Sequence, residues 1–408
     1  MNKIIIKWLK EKVNQTRNSI AFLPAIIALS FLLVSWLMLE FDYSDTGKEL
    51  KAQLSWLRLK DASTARSIIS TVTAGIISLT VFSFSMVMIV LNQAASQLSN
   101  RILDKLIGNR FQQVVLGFYI GTIVYALFLL STIRDVNSGI YVPAISTYLL
   151  ILLTILDIFL FIYFLHYITQ SVKYEVIIAR IYKQTCKSLQ HSCLLQTEPE
   201  DINITSTGLF VKVPTSSIFQ GFEKKTLLKL CEQENLVISF LHPTETFILK
   251  DAPLFCICNQ QTLPEKLLEQ LQVAVNMHIG EDITSNYFYG FRQLTEVAVK
   301  ALSPGINDPG TAIISLHALA DLLAYRLQHF PEQNIKDAQG TVRIIIKVRS
   351  FEEVFAACML PIWDYGKEDR LVQQAMKQVL GQLQQYSPAP VLHRLSQQVH
   401  DAIISNYV

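Results

Sequence analysis

Charge is what this chain has least of. Asp, Glu, Lys and Arg make up 17% of its 408 residues, against about 25% in a typical soluble chain. The shortage is local. Four windows, Ser19–Leu39, Ser67–Leu91, Val114–Ile133 and Pro143–Ile168, hold no Lys or Arg and a single acid, Asp157. Formal net charge is only +2, which lacks the basic surplus that phosphate backbones demand, so nucleic acid is not an expected partner. Cysteine is absent before Cys186, and reduced thiols on the cytosolic side are the expected state of the rest. Cys256 and Cys258 share one face of a predicted strand, but two thiols make no zinc site. No Gly-x-Ser-x-Gly, P-loop, His-Glu-x-x-His or paired-Cys zinc spacing occurs. The chain therefore reads as no enzyme, with no cofactor and no metal.

What is present is length without charge. About 20 apolar residues cross roughly 30 Å of hydrocarbon, and each window is long enough. The first exceeds the roughly 7–15 residues of a signal-peptide core, and no Ala-x-Ala site follows it, so it is expected to stay as an anchor. Before it, Lys3, Lys7, Lys10 and Lys12 alternate with Ile4, Ile5, Trp8 and Leu9, a pattern that suits an interfacial helix. Five Lys or Arg precede the first window, Arg101, Lys105 and Arg110 fall in the second connection, and Lys173, Arg180, Lys183 and Lys187 follow the fourth window. The opposite side holds Lys48, Lys51, Arg58, Lys60, Arg66 and Arg134, so twelve stand against six. The Lys and Arg bias places both termini in the cytoplasm.

Three features of the membrane half carry chemistry. Thr71, Gly75, Ser78, Phe82, Ser85, Ile89, Asn92, Ser96 and Ser99 follow steps of four and three, one seam of the second helix. This seam reads either as a packing surface or as the lining of a wet path. Gly117 and Gly121 form a GxxxG motif for close helix packing, within one subunit or between subunits. Asp157 sits near mid-membrane, where an unpaired carboxylate costs about 2.5–3.5 kcal/mol even on insertion scales. It must face the bundle, find donors, or hold a proton; Thr147 and Thr154 share its face. The connection 40–66 reads as a short amphipathic surface helix, with Leu50, Leu54 and Leu57 aligned beside Trp56.

Beyond the fourth window, Ser171–Gln190 reads as a continuing helix. Short β-rich runs follow at Gly208–Val213, Leu236–Leu241, Thr246–Leu249 and Leu254–Cys258, with a helix at Phe222–Asn235. From Leu263 the pattern is helical apart from one strand, Thr341–Arg349. Arg292, Glu296 and Lys300 form a charge ladder, and Ser350 with Glu353 is a capping box. The loop from Ser303 to Gly310 stands out: Asp308 before Pro309 reads as an N-cap and first helical residue. With Ser303, Asn307 and Thr311 it is also a candidate ligand loop. His317 and Asp321, one turn apart, read as a surface hydrogen-bonded pair.

Ala62–Leu103, Gln113–Leu127 and Gly290–Ile313 together resemble a bacterial family of predicted membrane proteins catalogued as domain of unknown function 2254. The Ala-Leu-Ser-Pro-x-x-Asn-Asp-Pro motif is matched at Ala301–Pro309, and His166 fits the family's histidine at the end of the fourth span. The family's Arg-Thr and Gln-Asp stretch before the motif is replaced here by Glu281–Asn286. The resemblance implies a bacterial inner-membrane protein and brings no activity with it.

The expected architecture is an α-helical integral membrane protein of four transmembrane helices with a C-terminal α+β cytoplasmic domain. Its parts are an amphipathic segment (1–18), the transmembrane domain (19–170), a connecting helix and linker (171–204), a small β-rich unit (205–262) and a mainly helical domain (263–408). Two functions fit. One is an oligomeric channel or transporter with its path along the second helix, the bilayer and a second copy being the partners. The other is a membrane-anchored scaffold or sensor whose cytoplasmic domain binds a protein or small ligand.

Overall fold

The computed structural model describes residues 21–53, 59, 61–97, 110–133, 142–199, 208–277, 283 and 286–405. The amphipathic segment expected before residue 19, Leu54, Trp56 and Leu57 of the first connection, Ser99, and most of the stretch 281–285 lie outside these residues. The chain divides after residue 173 into two compact units.

In the first unit, α1 (Phe22–Tyr43), α3 (Ala62–Gln97), α4 (Arg110–Thr132) and α5 (Ala144–Ser171) are each long and apolar enough to cross a membrane. Short-range signals set their ends. Asp61 Oδ1 accepts from the Thr64 amide at 2.6 Å, an N-cap on α3. Pro143, which lacks an amide hydrogen, precedes α5. The helix α2 (Asp45–Gln53) follows α1 after Ser44, whose hydroxyl accepts from the Gly47 amide at 3.2 Å. Leu39, Ala65, Ile69, Tyr125, Leu129 and Leu150 form one buried cluster, and Ile76, Val115, Tyr119, Phe164 and Ile168 a second.

The GxxxG pair joins α4 to α1 within the chain. A β-carbon at Gly117 would stand 2.6 Å from Ile27 Cδ1 and 3.1 Å from Pro24 Cα; one at Gly121 would meet the Phe31 ring at 2.7 Å. Phe31 and Phe118 close the contact edge to face at 5.5 Å. The connection expected to be a surface element instead buries Lys51 completely, paired with Asp42 at 2.9 Å.

The second unit begins with α6 (Tyr174–Ser192). A five-stranded sheet combines β2 (Leu209–Lys212), β6 (Pro253–Ile257), β4 (Ile238–Phe240), β10 (Val342–Ile345) and β9 (Asn334–Lys336), in that order. Only β4 and β10 run parallel within it. A second sheet has the order β5 (Phe247–Ile248), β3 (Ser217–Phe222) and β7 (Val275–Met277). A short pair is made by β1 (Cys193–Leu195) and β8 (Phe330–Pro331). The helices α7 (Lys224–Gln233) and α8 (Glu265–Val273) cover the sheets through Leu227 and Leu271, packed with Phe219, Ile238, Phe255 and Ile344. Among the described residues the remaining helices are α9 (Tyr287–Ala301), α10 (Pro309–Gln328), α11 (Phe351–Gly366), α12 (Arg370–Leu383) and α13 (Pro390–Ser405).

Residues 205–262 and 263–408 are therefore one unit, not two. The strand expected alone at 341–349 enters the sheet between β4 and β9. Ile344 is fully buried there and pairs with Ile238, over a hundred residues earlier in the chain; such a partner leaves no trace in local periodicity.

Candidate functional site

Asp157 lies midway along α5 and is completely buried. Neither carboxylate oxygen has a hydrogen-bond partner. From α4, Thr122 is the hydroxyl that acts on this carboxyl, without completing a hydrogen bond of normal geometry. Tyr119, one turn before Thr122 on the same face, lies within electrostatic reach of Asp157 and faces Ser83 of α3. The hydroxyls of Ser83, Tyr119 and Thr122 are also buried and unpartnered. Three helices thus bring four orphan polar groups together in an apolar interior, where each such group costs several kcal/mol in hydrocarbon unless satisfied.

A cavity of about 170 Å³ opens against this cluster, lined by Ser83, Val87, Gln112, Gln113, Tyr119 and Phe164. Gln113 lies six residues before Tyr119 on α4, about 9 Å along the helix axis. The cavity therefore reaches from near the start of α4 to the phenol beside Asp157.

The predicted seam of α3 is placed otherwise. Thr71, Gly75, Ser78, Phe82, Ser85, Ile89 and Asn92 all lie on the exposed face of the unit. Ser78 and Ser85 return their hydroxyls to the Ala74 and Val81 carbonyls of their own helix. A second stripe of the same spacing, Thr73, Ile76, Thr80 and Ser83, faces inward. Thr73 and Thr80 bond back to Ile69 and Ile76, and Ser83 is the member left free for the cluster. Thr154, on the expected face of Asp157, gives its hydroxyl to the Leu150 carbonyl at 2.7 Å. Thr147 likewise bonds Pro143 at 2.8 Å.

In the second unit, the Asp308 carboxylate accepts from the Thr311 amide at 3.1 Å and the Thr311 hydroxyl at 2.6 Å, capping α10. Ser303 donates to the Lys300 carbonyl, and Asn307 takes the left-handed backbone with φ 49°. Asp308 and Thr311 satisfy each other, and the Asn307 amide donates to the Ser303 carbonyl at 2.9 Å. Asp321 pairs with the Tyr182 hydroxyl of α6, not with His317; the bond and burial push the Tyr182 phenol up. Burial pushes the Cys258 thiol up to about 11 and those of Cys231 and Cys358 to about 12, so none has thiolate character. Among the described residues no group of three His, Cys, Asp or Glu side chains can hold a metal.

A family described as "Predicted membrane protein (DUF2254)" matches residues 17–382, nearly the whole of both units. The chain belongs to that family. Uncharacterized proteins of Mycobacterium bovis and Mycobacterium tuberculosis are 23% identical to it over 339 residues, covering 79% of this chain. The chain spans 64% of the length of these relatives. No solved structure matches it.

Sequence reasoning found Asp157 but not its companions. A usable signal existed: a mid-span acid needs donors, and Tyr119 and Thr122 stand three residues apart in the same helix as the GxxxG pair.

Proposed function

We propose that this DUF2254 protein is an oligomeric membrane transport protein rather than an enzyme, with Asp157 taking up a proton or small cation. It sits in a bacterial inner membrane with both termini in the cytoplasm. The observation that carries the reading is the fully buried Asp157 carboxyl with no hydrogen-bond partner on either oxygen.

An ionised carboxylate left bare in hydrocarbon is costly. Binding a proton or cation removes that cost, and release restores it, so reversible occupancy is the natural chemistry of the group. The row Ser83, Tyr119, Asp157 supplies polar groups in an otherwise apolar interior, at the end of a largely apolar cavity. With the start of α4 on the cytoplasmic side, the cavity faces that side. Two arguments favour association of subunits: four spans are few for a complete carrier, and the exposed seam of α3 offers small residues for close approach to a second copy.

The test is flux from liposomes holding the purified protein, under imposed voltage and under proton or sodium gradients, with Asp157→Asn and Tyr119→Phe in parallel. Flux through the wild type that disappears in Asp157→Asn and slows in Tyr119→Phe is the expected result. Undiminished flux in Asp157→Asn overturns the role given to that residue. Absence of flux in the wild type under every gradient overturns the transport reading itself.

A further inference from the structure

We infer that the soluble unit holds a binding site for a phosphate-bearing small molecule, centred on Arg326. A cavity of about 820 Å³ lies in this unit, within the size range of small-molecule and cofactor sites. It forms where the carboxyl ends of the parallel strands β4 and β10 meet the start of α11: Ser239, Phe240 and Ile345 line it together with Ser350 and Phe351.

Arg326 comes from the last turn of α10, is 3% exposed, and lines the cavity. Its Nη1 donates to the His329 carbonyl and its Nη2 to the Arg349 carbonyl, both at 3.2 Å. Its Nε is buried without a hydrogen bond of normal geometry, and the side chain lies against the buried Tyr287 phenol. Arg349 also lines the cavity, stacks over the Phe288 ring at 4.5 Å, and leaves its own Nε buried and unpartnered. Lys347, exposed, adds a third cation. The lining acids Glu198 and Glu352 are both exposed.

Neither Arg326 nor Arg349 has a carboxylate within ion-pair distance among the described residues, so both charges are left without a counter-ion. An anion in the cavity supplies one. Guanidinium groups match phosphate oxygens in geometry and charge. The 16-residue α11 points its N-terminus at the same space. Its capping box uses the Ser350 and Glu353 amides, and first-turn amides beyond those favour an anion. The aromatic walls Phe240, Phe330 and Phe351 suit the organic part of such a ligand.

This site is independent of ion movement through the first unit, and its test is arranged accordingly. Inorganic pyrophosphate and ATP are titrated calorimetrically into the full-length protein in detergent micelles, for wild type, Arg326→Met, Lys347→Glu and Asp157→Asn. We expect saturable binding that is lost in Arg326→Met and at least about tenfold weaker in Lys347→Glu, each phosphate contact being charge-assisted. Asp157→Asn should bind as wild type. Lys347 is exposed, so its variant keeps the test valid if Arg326→Met does not fold. Tighter binding of ATP than of pyrophosphate identifies a nucleoside phosphate, and equal binding a bare phosphate group. No binding of either probe, or binding unchanged in folded Lys347→Glu, overturns the inference.

Discussion

Lys51 and Asp42 form an ion pair at 2.9 Å, and neither side chain is exposed to solvent. Lys51 Nζ also donates to the Asp42 and Val142 carbonyls at 2.8 and 3.2 Å. Asp42 Oδ2 accepts from the Ser146 amide and hydroxyl at 2.7 and 2.8 Å. The pair thereby ties α1, α2 and the start of α5 together. Its charges are well satisfied, which is the condition under which a buried pair is tolerated. Removing one member strands the other. Lys51→Met should destabilise the protein by about 3–5 kcal/mol. Asp42→Leu combined with Lys51→Met should recover much of that loss. Thermal melts in detergent decide this, and additive losses in the double variant would refute the coupling.

The glycines of the first unit predict opposite outcomes. Gly117→Ala drives a β-carbon to 2.6 Å from Ile27 and 3.1 Å from the Pro24 backbone, and overpacking of this kind costs about 1–3 kcal/mol. A β-carbon at Gly75 meets nothing within 4 Å, so the stability of a single chain should not fall in Gly75→Leu. If the exposed seam joins copies, the same variant dissociates them. Melting temperature and light-scattering mass, measured together on both variants, separate the two effects. An unchanged mass in Gly75→Leu removes the seam from the subunit interface.

Asp308 gives a local prediction. Its carboxylate satisfies the Thr311 amide and hydroxyl at the start of α10, and loss of an N-cap costs about 0.5–2 kcal/mol. Asp308→Ala should show that loss, and Asp308→Asn, which keeps an acceptor oxygen, should retain most of the wild-type stability. Equal stability of the two variants would mean that the carboxylate does something other than cap.

Local rules made the helices legible, and distance hid the rest. The four apolar windows, the capping box at Ser350 and Glu353, and the cap at Asp308 all rest on interactions within a few residues, and the structure shows each of them. Lys51 counted as one more external cation because its partners sit 9 and 91 residues away. The seam of α3 shows the limit of periodicity most sharply. Two interleaved stripes, one through Ser78 and one through Ser83, have the same spacing and similar composition, and only packing against α4 and α5 decides which faces inward. GxxxG could not say whether its partner was this chain or another; Ile27 and Phe31 answer that. Asp157 drew attention because acids are rare in a span, but the groups beside it are an ordinary Ser, Thr and Tyr.

Asp337 and Arg343 give the second unit a pH dependence whose sign is fixed by the geometry. Arg343 Nε donates to Asp337 Oδ2 at 2.7 Å, and the Gln339 and Thr341 amides donate to Oδ1 at 3.0 and 2.8 Å. The guanidinium first, and the amides with it, hold the Asp337 carboxyl below the usual carboxylate range. A carboxyl whose pKa is lower folded than unfolded stabilises the fold above its unfolded value of about 3.9. That contribution fades as pH falls toward the lower folded value. Asp337→Asn, which cannot ionise, should therefore be less stable than wild type at neutral pH, and the gap should close as pH drops below about 4. Parallel melts of the two proteins from pH 7 downward measure it, and a gap that stays constant or widens in acid would show that the Asp337 charge contributes nothing.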